Sequence, residues 1–143
     1  MLKVYTPPYI TMLISVNIMN IFFSTYFITL LLIGVTFKIL TVSIKEERNL
    51  LILFSIITFL VIENSQGLKI FSLTLSSMVI YLFIVPRLKN LFSSTVILDF
   101  IYIFILYIFF YILTQSYIAF DLSLITIFLM NFFIDIIIIG LVL

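Results

Sequence analysis

Long stretches without a charged residue dominate this sequence, and the first of them covers residues 4–37. One membrane-spanning helix needs about 20 consecutive apolar residues. A water-soluble domain typically has charged side chains at about 25% of its positions, whereas only 9% of this chain is charged and 65% is hydrophobic. The sequence therefore predicts one all-α integral membrane domain that covers residues 1–143 and is embedded in a lipid bilayer.

The residue types that are missing exclude several classes of function. The chain has no Cys and no His, which removes thiol nucleophiles, structural zinc sites and the side chain that most often carries protons near neutral pH. The sequence shows no nucleophile with a base, no metal-ligand cluster and no glycine-rich phosphate loop. A net charge of +1 without a basic patch argues against nucleic acid as a partner. We therefore expect no enzymatic activity, no cofactor and no metal.

Breaks in the hydrophobic pattern divide the chain into a bundle of about five transmembrane helices. Pro7 and Pro8 oppose regular helix at the start, so residues 9–19 are expected to form an interfacial lead. A sixth helix is the alternative if this N-terminal segment inserts. The predicted spans are residues 21–40, 44–62, 68–85, 93–114 and 122–143.

Short polar motifs mark the predicted helix ends. Ser43 followed three residues later by Glu46 matches a capping box, in which both side chains bond to free amides at a helix start. This motif predicts that the second span begins at residue 44. Pro86 lacks a backbone N–H, which predicts that the third span ends at residue 85. Asp121 is predicted to cap the fifth span.

The positions of Lys and Arg predict the orientation. Cytoplasmic loops of membrane proteins are enriched in these residues. With five spans, one side receives five of them and the other side two, which predicts an N-terminus outside and a C-terminus in the cytoplasm. The larger group is Lys38, Lys45, Arg48, Arg87 and Lys89, and the smaller group is Lys3 and Lys69.

Two carboxylates lie inside predicted spans, where a polar group costs free energy and often carries function. Asp99 and Asp135 are expected at a similar depth, facing each other or the basic residues Arg87 and Lys89. In a close pair one carboxylate would hold a proton, so the functional interpretation is a proton- or cation-responsive pair. The structural interpretation is that each serves a helix end or a neighbouring charge. Asn131, one turn before Asp135, shares its helix face, which is expected to pack inward or against a partner.

Three further residues are candidates for packing or binding. Glu63 is expected to be solvated in an outer turn and loosely paired with Lys69, although it could also bind a partner or a solute. Ser72 and Ser76 form a small-residue stripe that allows membrane helices to approach closely. The complete set of candidates for helix packing or partner binding is Asp99, Asp135, Asn131, Glu63, Ser72 and Ser76.

Residues 62–90, IENSQGLKIFSLTLSSMVIYLFIVPRLKN, resemble MreD, the small membrane protein of the bacterial rod-shape system. The shared order is an apolar helix ending in an acidic residue, a polar turn with Gly, a helix rich in small residues with a Tyr, and a basic loop. MreD usually has a longer turn and an Asp where this chain has Glu63. The total length and the two spans that follow also fit the family. The resemblance covers about half the chain. The matching elements are Glu63, Gly67, residues 72–77, Tyr81, and Arg87 with Lys89.

The resemblance implies a scaffold or adaptor role in the bacterial inner membrane. It implies binding to an MreC-like protein, and through it to RodA and the class B transpeptidase, in cell-shape and peptidoglycan-elongation assembly. A solute-binding component of a vitamin transporter is an alternative of another class, because the MreD fold is thought to resemble such components. An accessory subunit of a motility or secretion machine is a third possibility.

Overall fold

In the computed structural model, the described residues are 7–25, 31–115 and 122–142, and within these ranges the chain is helical without any strand. Three helices, α4, α5 and α6, are long and apolar enough to cross a membrane. The prediction of an all-α chain is confirmed and is compatible with a membrane protein, whereas the number of five spans stays a prediction. The helices are α1 (Pro7–Thr25), α2 (Ile33–Lys45), α3 (Asn49–Ser65), α4 (Ser72–Leu91), α5 (Thr95–Gln115) and α6 (Leu122–Val142).

Two separate helices occupy the region of the first predicted span, so that prediction is wrong. Pro7 and Pro8 form the first turn of α1, where a proline removes no helical hydrogen bond. The segment expected to be an interfacial lead is therefore helical. α2 begins only at Ile33, after Leu32 adopts a left-handed backbone with φ 51°.

α1 lies along α3 and runs in the same direction. Asn17 Nδ2 donates a hydrogen bond to Thr58 Oγ1 at 3.0 Å, and farther along both helices Ser24 and Asn64 line one cavity. The start of α1 therefore lies at the same end of the bundle as the turn between α2 and α3. The five-span arrangement expected the N-terminus and this loop at opposite ends. The orientation relative to the membrane stays a prediction, and Lys3 lies outside the described residues.

The predicted capping box between Ser43 and Glu46 does not form. Ser43 lies in the last turn of α2, where its Oγ donates to the Ile39 carbonyl at 2.6 Å. Glu46 instead forms an ion pair with Arg48 at 2.8 Å. The next helix starts later than predicted, at Asn49, because α2 continues past the serine.

Pro86 does not end the third predicted span. α4 begins at Ser72, later than expected, and continues through Pro86 to Leu91. Residues 80–84, immediately before the proline, are π-helical. In a regular α-helix the proline ring would clash with the carbonyl of Leu82, four residues earlier. The wider π turn relieves this clash, so the helix can continue.

α5 and α6 form an antiparallel pair, and their helix bounds agree to within two residues with those predicted for the last two spans. Aromatic side chains join them edge to face, with ring centroids 5.8 Å apart for Phe104 and Phe132 and 5.3 Å apart for Phe110 and Phe128. Such pairs contribute about 0.5–1.5 kcal/mol beyond the burial of their surface. The predicted cap Asp121 lies outside the described residues.

The short helix α2 is the central element of this bundle. It packs against α3, α5 and α6, and every residue from Ile33 to Phe37 is buried. With 13 residues, α2 is too short to cross a bilayer, which takes about 20. Its first turn consequently lies in the interior of the protein.

The parallel arrangement of α1 and α3 can be tested by labelling. The chain has no Cys, so single Cys substitutions at the exposed residues Pro8, Glu46 and Asn64 are unambiguous probes. In sealed vesicles, a membrane-impermeant maleimide should label Pro8→Cys and Glu46→Cys from the same side, and Asn64→Cys from the opposite side. Labelling of Pro8→Cys from the side of Asn64→Cys would contradict the parallel arrangement.

Candidate functional site

Two helices of the bundle, α2 and α4, begin with amides that bond to buried side chains of another helix. The first amides of any helix have no partner within that helix, and a buried amide without a bond costs about 1–3 kcal/mol. α2 and α4 both start after a residue with left-handed backbone, Leu32 at φ 51° and Phe71 at φ 67°. Each start is closed by side chains from another helix.

The start of α2 is held by two polar residues of α6. Asn131 Oδ1 accepts a hydrogen bond from the Leu31 amide, and Asp135 Oδ2 accepts one from the Gly34 amide, both at 2.9 Å. Asn131 is 3% exposed and Asp135 is fully buried. Their spacing of four residues places both on one face of α6, as predicted, and this face packs inward.

Further bonds complete the cluster around the start of α2. The Tyr107 hydroxyl of α5 donates to the same oxygen of Asp135 that receives the Gly34 amide. Asn20 of α1 donates to the Leu31 carbonyl at 3.1 Å. Side chains from three helices therefore converge on the start of α2. We use the name α2 cap for the four side chains and the glycine at this helix start: Asn20, Tyr107, Asn131, Asp135 and Gly34.

Gly34 permits this close contact because it has no side chain. A Cβ added there would lie 2.8 Å from Cγ2 of Ile103 and 2.9 Å from Oδ2 of Asp135. Both distances are shorter than ordinary van der Waals contact. The carboxylate can reach the amide only when residue 34 is glycine.

Glu63 closes the start of α4 in a similar way. Its Oε2 accepts a hydrogen bond from the Phe71 amide at 2.6 Å, and its Oε1 accepts from the amides of Leu73 and Thr74 at 2.7 and 2.9 Å. The Thr74 hydroxyl donates to the same Oε1 at 3.3 Å. The negative charge also suits the positive end of the helix dipole.

The expectation that Glu63 is solvated is therefore wrong. The residue is 1% exposed, because α3 ends against the beginning of α4 and the carboxylate lies between them. It stands in the last turn of α3, two residues before the helix end at Ser65. Gly67, at φ +67°, forms the tight turn that follows.

Asp99 and Asp135 do not share a site. Asp99 forms an ion pair with Lys38 of α2 at 2.6 Å, and both side chains are about one-quarter exposed. Asp135 bonds to α2 and α5 as described above. Each carboxylate thus serves a neighbouring element, which favours the structural interpretation of both residues. Lys89, one of the partners expected for Asp99, lines a cavity together with it.

Ser72 and Ser76 are half-buried on α4. Ser76 Oγ donates to the Ser72 carbonyl at 2.8 Å, within the same helix. The buried small polar residues of α4 are instead Thr74 and Ser77. A partner-binding role for the predicted stripe stays a prediction.

The sequence did not reveal how these groups are connected. Asn20 lies in the uncharged stretch of residues 4–37 without any mark of a role, and nothing in the sequence links Tyr107 with Asp135. The one available signal was the combination of Gly34 in an apolar run with the Asn131 and Asp135 pair. It indicates a close polar contact but does not identify the amides that receive it.

These polar groups are arranged to stabilise the fold rather than to take part in a reaction. The carboxylates of Glu63 and Asp135 accept bonds from backbone amides, and each belongs to a separate cluster. In the described ranges, no group of three or more acidic, His or Cys residues is placed to hold a metal ion.

Comparisons with protein-family models, with curated proteins and with solved structures find no match for this chain. The resemblance to MreD therefore rests on the residues quoted above. Any function has to be argued from the contacts and surfaces of the chain itself.

Substitution of Gly34 tests the close contact at the α2 cap. Gly34→Ala should lower the free energy of unfolding by about 1–3 kcal/mol, because the new methyl group overpacks the site. Gly140→Ala is the matched control, since nothing lies within 4 Å of a Cβ there, and it should stabilise the helix by about 0.5–1 kcal/mol. Denaturant unfolding in detergent micelles measures both. Equal stability of the two variants would contradict the described packing.

Proposed function

We propose that this protein is a non-enzymatic membrane subunit, an adaptor that binds another integral or bitopic membrane protein within the bilayer of a bacterial envelope. The observation that carries the proposal is the different placement of polar and apolar side chains. Polar side chains in the interior, such as Glu63, Asn131 and Asp135, bond to the fold itself. The outer faces of α5 and α6 are apolar, so contacts with a partner would be made there.

A groove between α5 and α6 supports this proposal. It has a volume of about 240 Å³ and its lining is aromatic and aliphatic. On its α5 wall, exposed apolar residues recur every fourth position and form a ridge along the helix. Ridges and grooves of this kind are how membrane helices pack against each other, without any need for buried charge. The ridge residues are Phe100, Phe104, Ile108 and Ile112.

The resemblance to MreD suggests which complex the adaptor belongs to. It points to an MreC-like bitopic protein, whose single membrane helix would occupy the groove, and through it to RodA and the class B transpeptidase in cell-shape and wall-elongation assembly. A motility or secretion machine would use the same kind of contact. The identity of the bound proteins therefore decides between these complexes.

A solute-binding role is less well supported by the contacts. Broken helices in transporters often present their N-termini to an anionic group of the solute. Here the N-termini of α2 and α4 already hold the carboxylates of Asp135 and Glu63. These two positions would have to be vacated before an anionic solute could use them.

Cross-linking in native membranes tests the adaptor proposal. Cys introduced at Ile108 or Leu129 lies in the groove, whereas Cys at Leu53 on α3 is more exposed than either and lies elsewhere. With a Cys-reactive photo-cross-linker, the first two variants should each yield a cross-linked membrane protein that Leu53→Cys does not yield.

The cross-linked protein identifies the complex. Recovery of an MreC-like protein, together with rounding of cells on depletion, would support the cell-shape assignment. A motility or secretion protein would overturn that assignment and retain the adaptor class. Lipid adducts alone at both groove positions, or an ATPase pair copurifying with a bound vitamin, would contradict the adaptor proposal.

A further inference from the structure

A basic cavity lies at the end of the bundle where α2 ends and α5 begins. Its volume is about 240 Å³, and residues of α2, α4 and α5 line it. Three lysines, Lys38, Lys45 and Lys89, and one carboxylate, Asp99, are among them. Lys38 and Lys45 lie on α2 and Lys89 lies on α4, so the fold brings charges from two helices together.

The charges in this cavity do not balance. Lys38 is neutralised by Asp99 at 2.6 Å. Lys45 and Lys89 are exposed, and neither forms an ion pair with a residue in the described ranges. The cavity thus holds two positive charges in excess, together with the Tyr81 side chain at its wall. Lysine ammonium groups arranged in this way attract a phosphate group.

A second cavity adjoins the basic one and has a different lining. Its volume is about 520 Å³, and it shares Lys38, Thr95 and Asp99 with the first cavity. The rest of its wall is apolar and is formed by the facing sides of α5 and α6, including Ile103 and Ile139. The ion pair of Lys38 and Asp99 therefore lies at the boundary between the basic cavity and the apolar cavity.

We propose that these two joined cavities bind one anionic phospholipid, with its phosphate between Lys45 and Lys89 and the upper part of an acyl chain against the apolar wall. Basic pockets between membrane helices are suited to such headgroups. A free phosphate ion would use only the basic cavity, so the adjoining apolar wall is the reason for choosing a lipid. This proposal goes beyond the adaptor role and does not depend on it.

Lipid binding to the purified full-length protein tests this inference. The probes are phosphatidylglycerol, phosphatidylcholine and inorganic phosphate, and native mass spectrometry counts the bound lipid. Replacing both excess charges, Lys45→Gln with Lys89→Gln, should weaken phosphatidylglycerol binding about thirtyfold, at ~1 kcal/mol per lysine. Arg87→Gln is the matched control for Lys89→Gln alone, because it removes one positive charge from the same helix outside the cavity.

A second variant tests the apolar cavity without a change of charge. Gly140 lines that cavity, and open space surrounds its Cβ position, so Gly140→Leu should fill the cavity and weaken phosphatidylglycerol binding while the helix content stays that of the wild type. Equal losses for Arg87→Gln and Lys89→Gln would overturn the proposal. Equal binding of phosphatidylcholine would do so too. Displacement of the lipid by millimolar inorganic phosphate would reassign the site to a soluble anion.

Discussion

Buried carboxylates that close the first turns of interior helices are the interaction on which the rest of this fold depends. Lipid offers no hydrogen-bond partner to a free amide, so a helix can begin inside the bundle only if another element supplies acceptors. Asp135 and Asn131 do this for α2, and Glu63 does it for α4. With its start closed, the short α2 can lie at the centre and pack against three other helices.

This use of the polar residues has a consequence for function. Glu63, Asn131 and Asp135 would be natural candidates for proton or solute chemistry, but each already accepts a hydrogen bond from a backbone amide of the same chain. The acceptors are both carboxylate oxygens of Glu63, Oδ1 of Asn131 and Oδ2 of Asp135. The surfaces that remain for other molecules are the apolar groove between α5 and α6 and the basic end around Lys38 and Asp99. The first suits a membrane helix and the second an anionic headgroup. The two surfaces adjoin along α5, because Phe100 belongs to the ridge and also lines the lipid cavity.

The sequence predicted features that depend on neighbouring residues and missed those that depend on distant ones. The apolar runs defined α5 and α6 almost to the residue, and the spacing of Asn131 and Asp135 predicted their common inward face. The interrupted helix at Leu32 could not be predicted, because the bonds to the α2 start join residues about 100 positions apart. The burial of Glu63 depends on how α4 packs against the end of α3, which the sequence pattern does not reveal, although the bonded amides are only 8 to 11 positions away. Pro86 was likewise predicted to end the helix, whereas α4 forms a π turn before the proline and continues to Leu91.

Hydrogen exchange of the capped amides tests the central claim most directly. In the wild type in micelles, the amides of Gly34, Leu73 and Thr74 should exchange slowly, although first-turn amides are ordinarily unprotected. Asp135→Leu should accelerate exchange at Gly34 and leave Leu73 and Thr74 protected, and Glu63→Leu should have the reverse effect. If each variant left the amides of its own helix as protected as in the wild type, the carboxylates would not be what closes these helices.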